Sequence, residues 1–403
     1  MGASGSGQMS RQDALGTLGL DCFLDTHDGE FHNHSTSVTD HRTGVGMPST
    51  DHPLSLYLGK TAAQIIGDQG WKGAPFKTLI GASGGPKWLI LSELDQILAS
   101  ELLHHQTQPL QLLGSSIGTW RHACLSQPEP GLAIQRLQSA YLQQQYSTAK
   151  PPATEVSHVA EQLLHTALGP QGATHIIEHE RFHNIIITAQ GRGLAQGQSG
   201  LPLVANMALA SAANTLSRKA LQLFFQRTAF CHPAVATVPF AADFNTQTVT
   251  LSEGNLIPAL KASGAIPLLM QCESSISGAT GGPFWDGGII DYHFSLTNSE
   301  ANGLILYPHF SDLIVPGWFD KMLPWRARSR PAIDNLILMC PSRSFLATLP
   351  HQKIPDRSDF SRLSPHQRVA YWQTCVHQSE RLAEALYSLI NGNDPLRGVT
   401  IIS

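Results

Sequence analysis

Two neighbouring stretches decide the fold: FKTLIGAS at residues 76–83 and PLQLLGSS at residues 109–116. Each is a short apolar run that ends in a turn of small residues, which is typical of a buried β-strand. Helical patterns follow at residues 86–105 and 117–126. Strand, turn and helix, repeated twice in close succession, predict a parallel sheet covered by helices.

The chain downstream of residue 54 continues in the same style. Residues 54–68 have apolar residues at helical spacing, and further buried strands are predicted at 182–190, 303–308 and 335–342. A strand precedes a helix that opens near Glu253, and two long helices are predicted at 203–228 and 365–389. We therefore expect one α/β domain over residues 54–391, with a central, mostly parallel sheet flanked by helices.

The first fifty residues have a different composition. Residues 1–50 mix His, Asp, Ser, Thr and Gly with almost no apolar periodicity, which predicts a mobile tail. Its histidines and the one just after it could bind a metal ion, but chance histidines in a solvated tail explain them as simply: His27, His32, His34, His41 and His52. Nothing downstream requires the first 46 residues, so Met47 is an alternative start.

Composition excludes several classes of protein. Of 403 residues, 42% are apolar and only 14% are charged, which is typical of a protein with a sizeable core. The 26 basic and 30 acidic residues argue against a strongly basic nucleic-acid-binding protein. The six cysteines show no metal-type spacing, which favours reduced thiols in a cytoplasmic location. No apolar run is long enough to span a membrane.

The second strand leads into a candidate nucleophile. Gly114, Ser116 and Gly118 form a G-x-S-x-G pattern at a strand-to-helix junction, the context that a nucleophile elbow requires. The sharp turn lifts the serine hydroxyl off the carboxyl end of the sheet, and backbone N–H groups there can stabilise an oxyanion. A plain turn rich in small residues is the alternative.

Two other segments complete a candidate site. The first strand ends in GASGGPK at residues 81–87, where consecutive glycines can direct several N–H groups into one anion-binding concavity. It lacks the GK[ST] sequence of a nucleotide-binding loop, so an oxyanion loop is the better interpretation. The segment FWDGG at residues 284–288 places Asp286 on a short strand before two glycines.

Together these motifs resemble the patatin-like phospholipase family, which has a glycine-rich oxyanion loop, a G-x-S-x-G elbow and an Asp-Gly-Gly segment in this order. KASGAIP at residues 261–267 is similar to a fourth block of that family, and the resemblance spans residues 76–295. Trp88 departs from the pattern where the family has the last loop glycine, which predicts an altered start of the next helix or a narrower pocket. The matching residues are Gly84, Gly85 and Lys87, then Gly114, Ser116 and Gly118, then Asp286, Gly287 and Gly288.

The resemblance implies a three-layer patatin-like fold and a lipid acyl hydrolase of the phospholipase A type. Ser116 would be the nucleophile and Asp286 its base, with no histidine, metal or organic cofactor. Gly84, Gly85 and Lys87 would form the oxyanion hole, and Gly287 and Gly288 would support Asp286. The substrate would be a lipid or another ester.

A Ser-His-Asp esterase or thioesterase is the rival hypothesis. Its chain order would be satisfied by Asp243, Asp286 or Asp312 followed by His351 or His366. His293 follows the Asp-Gly-Gly segment closely, but we predict a packing role for it. A protein that binds a lipid without turning it over is a third possibility, although both dyad positions are filled.

A segment rich in aromatic and basic residues suggests peripheral membrane contact. VPGWFDKMLPWRARSR at residues 315–330 carries Trp318, Phe319 and Trp325 beside several arginines. Aromatic side chains next to cations suit a membrane interface. The alternative is a helix end that packs its aromatic residues into the core.

Overall fold

A computed structural model of the chain describes residues 52–239, 243–294 and 303–402. The predicted tail at residues 1–50, with His27, His32, His34, His41 and the alternative start at Met47, lies outside the described residues. His52 is described, and its ring Nδ1 lies 2.9 Å from the carbonyl oxygen of Leu54.

A ten-stranded sheet forms the centre of the fold, as the α/β prediction requires. Its strands are β1 (Leu54–Gly59), β2 (Phe76–Gly81), β3 (Leu110–Ser115), β4 (Phe182–Gly191), β5 (Phe225–Cys231), β6 (Thr246–Thr250), β7 (Phe284–Asp286), β8 (Leu304–Pro308), β11 (Leu336–Pro341) and β12 (Val399–Ile402). Their order in the sheet is β12-β1-β11-β8-β2-β3-β4-β5-β6, with β7 paired to β4. A separate small ribbon pairs β9 (Leu313–Ile314) with β10 (Arg328–Ser329).

The five central strands, β11, β8, β2, β3 and β4, run parallel to one another. Strands β5 and β7 run antiparallel to β4, and β1 runs antiparallel to β11. All ten residues of β4 are buried, because an interior strand of a helix-covered sheet is shielded on both faces. Because the five central strands are parallel, their carboxyl ends lie at the same edge of the sheet. The loops that follow β2 and β3 begin at this edge.

Helices flank this sheet. The α-helices are α1 (Lys60–Gly73), α2 (Ser92–Ile97), α3 (Ile117–Leu125), α4 (Pro130–Gln143), α5 (Ala153–Leu168), α6 (Gly172–Ile177), α7 (Gly200–Leu216), α8 (Glu253–Ser263), α9 (Arg343–Thr348), α10 (Asp359–Arg362) and α11 (Pro365–Ile390). Helix α11 matches the predicted C-terminal helix. None of the helices in the described ranges is both long and apolar enough to cross a lipid bilayer.

Four sequence-based boundaries are wrong. The helical spacing at residues 54–68 hides strand β1, which pairs with β11 and β12. The predicted helix 203–228 stops at Leu216, and its last residues form β5 against β4. The predicted helix 86–105 starts as a 3₁₀ turn, Gly85–Leu91. The sheet also extends past the predicted domain end at residue 391, since β12 pairs with β1.

Candidate active site

The turn between β3 and α3 holds the candidate nucleophile. Ser116 is 4% exposed and has φ 52° and ψ −132°, a strained conformation for a residue with a side chain. The turn also packs tightly against β2, because a Cβ added to Gly118 would lie 2.0 Å from the carbonyl oxygen of Gly81. This strained geometry is the one expected of a nucleophile elbow.

Strand register brings Asp286 to the same place. Strand β3 pairs with β4 as far as Ser115, which lies opposite Ile187. Strand β7 then continues along the same strand from Thr188, which lies opposite Asp286. The residue after Ser115 is therefore level with Asp286, although 170 positions separate the two in sequence.

The two side chains are in direct contact. The Ser116 hydroxyl donates a hydrogen bond of 2.8 Å to Oδ2 of Asp286. The other carboxylate oxygen accepts a 2.7 Å bond from the N–H of Gly288. With one oxygen anchored by the backbone, the second is held towards the serine. This direct contact is what a Ser-Asp dyad requires.

The surroundings of Asp286 suit a base. Burial raises the pKa of its carboxyl to about 6, although Arg357, the Gly288 N–H, the Ser116 hydroxyl and Lys321 each act to lower it. A carboxylate with an ordinary pKa is a weak base for a serine hydroxyl, and a raised pKa brings it nearer the working pH. Asp286 is only 4% exposed, so bulk water competes little with the Ser116 hydroxyl for its carboxylate.

Helix α8 ends in a serine that holds the turn in place. The hydroxyl of Ser263 accepts a 2.9 Å hydrogen bond from the N–H of Ser116 and donates a 2.7 Å bond to the carbonyl of Ile187. Ser263 is fully buried. It belongs to the KASGAIP segment at residues 261–267. The resemblance of that segment marks the position in the sequence, but it does not predict that Ser263 binds the backbone of Ser116.

The two glycines after Asp286 sit where side chains would collide. A Cβ at Gly287 would lie 2.2 Å from the carbonyl oxygen of Ile187, and one at Gly288 would lie 2.6 Å from the hydroxyl of Ser83. Only glycine lets this segment lie against β4 and the loop after β2. Their predicted supporting role therefore has a steric basis.

Buried polar contacts fix the segment after Asp286. The hydroxyl of Ser115 donates to the carbonyl of Asp291 at 2.5 Å and contacts the hydroxyl of Ser83 at 2.7 Å. Arg227 makes a two-pronged ion pair with the carboxylate of Asp291, at 2.6 and 2.8 Å. Arg218 donates to the carbonyl of Ile290 at 2.8 Å. This framework positions the base without touching the reacting atoms.

The dyad lines a small, partly open pocket. The centre of a water-sized sphere can move through only about 10 Å³ of it, close to the minimum for one water molecule. An ester can therefore reach Ser116 only if wall side chains move, and the long, flexible ones are Lys321 and Arg357. The lining residues are Ser83, Ser116, Asp286, Gly288, Tyr292, Trp318, Lys321 and Arg357.

The predicted oxyanion residues are only partly brought together. Gly84 and Gly85 lie in the loop after β2, and the guanidinium of Arg357 lies beside Gly85. None of Gly84, Gly85 and Lys87 lines the pocket, and the ammonium group of Lys87 lies 5.3 Å from the centroid of the Phe310 ring. The N–H of Lys87 donates to the carbonyl of Gly84 at 3.3 Å, so the place of Lys87 in the predicted oxyanion hole is not supported.

Trp88 does not narrow the pocket. Its ring is buried and packs edge-on against Tyr141, with 5.8 Å between the ring centroids. The loop leads into a 3₁₀ turn, Gly85–Leu91, before the α-helix begins at Ser92.

The histidines of the described residues do not line the pocket of the dyad. His293 is buried, its Nδ1 accepts a 3.0 Å hydrogen bond from the N–H of Val315, and its ring stacks on Tyr292. Burial, with neighbouring positive groups, holds its pKa well below the ordinary value. None of the histidines in the described part of the chain lines the pocket. The predicted packing role of His293 agrees with this arrangement.

Three other residues of the rival triads are engaged elsewhere, and the fourth, His366, is exposed at the start of α11. Asp243 pairs with Arg227 at 2.9 Å, and Asp312 pairs with Arg330 at 3.0 Å. His351 packs edge-on against Tyr371. Over the described ranges, no three His, Cys, Asp or Glu side chains are grouped as a metal site.

The predicted membrane residues divide into two groups. Trp318 and Phe319 are 6% and 5% exposed, and Trp318 lines the pocket. These two side chains cannot meet a membrane in this conformation, and that part of the prediction is wrong. Trp325 is 71% exposed and stays available for such a contact.

Sequence reasoning missed two cations of the site. Lys321 lies in the segment that had been assigned to membrane contact, and Arg357 lies in an irregular stretch before α10 with no motif around it. Both reach the pocket from regions distant in sequence, so spacing alone carried no signal for them.

Comparison with known proteins does not assign the chain to a family. No protein-family model matches it, and no curated protein is significantly similar to it. The case for a function therefore depends on the geometry of the site.

Proposed function

We propose that this chain is a serine acyl hydrolase of the patatin type, acting on lipid acyl esters through a Ser116–Asp286 dyad. The observation that carries the proposal is the 2.8 Å hydrogen bond between the two side chains, made by a serine in a strained strand-to-helix turn. A resident metal or organic cofactor is not part of the proposed chemistry.

Acylation begins when the Ser116 oxygen attacks the ester carbonyl carbon. The hydroxyl proton passes to Oδ2 of Asp286, and the carbonyl π electrons move onto its oxygen to form a tetrahedral oxyanion. When this intermediate collapses, the bond to the alcohol breaks and Asp286 returns the proton to the leaving alkoxide. The product is an acyl ester of Ser116.

Deacylation repeats these steps with water. Asp286 accepts a proton from water as its oxygen attacks the acyl carbon. Collapse of the second tetrahedral intermediate expels the Ser116 oxygen, which regains the proton from Asp286, and the free acid leaves. An alcohol that replaced water would give acyl transfer by the same sequence.

Backbone N–H groups and cations are available for the oxyanion. The N–H of Ser116 is committed to Ser263, so the donor from the elbow is Ile117, at the first position of α3. The first N–H groups of a helix have no acceptor within it. Gly84 and Gly85, in the loop after β2, are the proposed donors from the other side, while Lys321 and Arg357 line the pocket and add positive charge to it.

Covalent labelling tests whether Ser116 is an activated nucleophile. A fluorophosphonate should label the wild-type protein, because attack by the serine oxygen forms a P–O bond and releases fluoride. Ser116→Ala should abolish labelling, and Ser344→Ala, a change at an exposed serine on α9, should leave it unchanged. Mass spectrometry of the labelled peptide checks the site. Equal labelling of wild type and Ser116→Ala would contradict the proposal.

The pH profile should report Asp286. Only the ionised carboxylate can accept the serine proton, so kcat/KM for a short-chain ester should rise with pH through about 6 and then level off. Arg357→Met should move the inflection to higher pH, because a cation that lowers the pKa of Asp286 is lost. Arg397→Met, at an exposed remote position, is the control. A rate independent of pH across this region would count against Asp286 as the base.

A further inference from the structure

Helix α7 has an unusual surface. Its sequence, GLPLVANMALASAANTL, contains no charged residue over 17 positions. One face is packed into the protein through Leu203, Met207 and Ala210. A helix on the surface of a globular protein ordinarily carries charged residues on its outer face.

The outer face of α7 is apolar instead. Leu201, Leu209 and Leu216 are 76%, 50% and 88% exposed. Ala205 and Ala212 are exposed between them, so five apolar positions spaced by three or four residues form one continuous stripe. Leu223, in the 3₁₀ turn that follows, is 74% exposed. Contiguous exposed apolar surface of this kind marks an interaction site.

The stripe adjoins the wall of the active-site pocket. At the C-terminal end of α7, Asn214 donates a 2.8 Å hydrogen bond to Asp320, and Arg326 contacts the carbonyl of Thr215 at 3.3 Å. Asp320 and Arg326 both belong to residues 318–326, where Met322 is 55% exposed and Trp325 is 71% exposed. The 3₁₀ turn at the start of this segment, Trp318–Met322, supplies Trp318 and Lys321 to the pocket.

The exposed charged residues of these two segments are all basic. Lys219 and Arg328 are exposed beside the stripe. Residues 200–223 contain no acidic residue, and the only one in residues 317–330 is Asp320, which is buried and paired with Arg326 at 2.9 Å. Leucine and tryptophan side chains beside exposed cations match a bilayer interface with anionic headgroups, where apolar groups enter the acyl boundary and cations meet phosphates and carboxylates.

We infer that the α7 stripe, together with Met322 and Trp325, docks the protein on an anionic lipid surface. The bilayer would then lie next to the segment that forms the pocket wall, which places lipid esters at the mouth of the site. This purpose rests on the proposed lipid acyl hydrolase function, whereas the docking itself does not require turnover.

Vesicle co-sedimentation of the full chain tests the docking. The Ser116→Ala variant should bind phosphatidylcholine vesicles containing about 30% phosphatidylserine, and high salt should weaken the binding. Leu209→Gln with Leu216→Gln in the same background should weaken it about tenfold or more. The control is Leu132→Gln with Ile401→Gln, two exposed apolar residues on other elements, at 49% and 57%. The control pair should bind as strongly as its parent.

Three results would overturn the inference: no binding to these vesicles, equal binding by the α7 pair and the control pair, or equal binding to vesicles of phosphatidylcholine alone. A dimer in light scattering that the α7 pair dissociates, without vesicle binding, would make the stripe a self-association surface instead. Hydrolysis of a soluble short-chain ester, measured on the α7 pair with Ser116 intact, should equal wild type. Vesicle binding without any ester turnover in wild type would reject the proposed function and leave the docking standing.

Discussion

Replacement of Asp286 by asparagine is expected to lower kcat for short-chain p-nitrophenyl ester hydrolysis by about 10³-fold or more. Asparagine keeps the shape of the side chain and can still accept the N–H of Gly288, but its amide cannot take the Ser116 proton. Because the buried charge is removed rather than introduced, the variant should fold. The test is initial-rate kinetics on wild type and variant, with circular dichroism and thermal melting to establish folding.

Two comparisons make this result specific to the dyad. Asp312→Asn removes a carboxylate that pairs with Arg330 away from the pocket, and it should keep wild-type activity. A folded His293→Gln variant should also retain most turnover, since that ring contacts Val315 and Tyr292 rather than Ser116. If Asp286→Asn keeps most of its activity while His293→Gln loses it, Asp286 is only a turn residue and a histidine-based site becomes the better hypothesis.

The fold could be predicted where its determinants are local. Strands β2 and β3 are short apolar runs that end in turns of small residues, so their pattern was sufficient. Strand β5 could not be recognised in the same way, because the sequence FQRTAFC at residues 225–231 becomes a strand through its pairing with β4. The apolar spacing of strand β1 likewise predicts a helix, and the strand forms through its hydrogen bonds with β11 and β12.

The site shows the same division. The motifs identified Ser116 and Asp286 individually, and the contact between them depends on the point along β4 where β3 ends and β7 begins. No spacing rule gives that register. Arg357 reaches the pocket from the C-terminal part of the chain, 71 positions after Asp286. Lys87 fitted the motif but turns towards Phe310, because a match in residue type does not determine where a long side chain points.

Gly118→Ala is expected to destabilise the fold by about 3 kcal/mol or more, at the upper end of overpacking costs. The added methyl group would lie 2.0 Å from the carbonyl oxygen and 2.3 Å from the carbonyl carbon of Gly81. Both atoms belong to the backbone of β2, so no side-chain rotation can relieve the clash. Either α3 or the end of β2 must shift, and each carries part of the active site. Urea unfolding monitored by tryptophan fluorescence measures the loss.

The controls are two glycines in helices with open space around them. A Cβ at Gly131 in α4 or at Gly254 in α8 would meet no atom within 4 Å, so alanine there should be neutral or stabilise the protein by up to about 1 kcal/mol. Since the three substitutions add the same methyl group, a difference between them isolates the contact of the elbow with β2. If the Gly118→Ala and Gly131→Ala proteins were equally stable, α3 would not pack on Gly81 as closely as the strained Ser116 turn requires. The steric evidence for a nucleophile elbow at Ser116 would then fail.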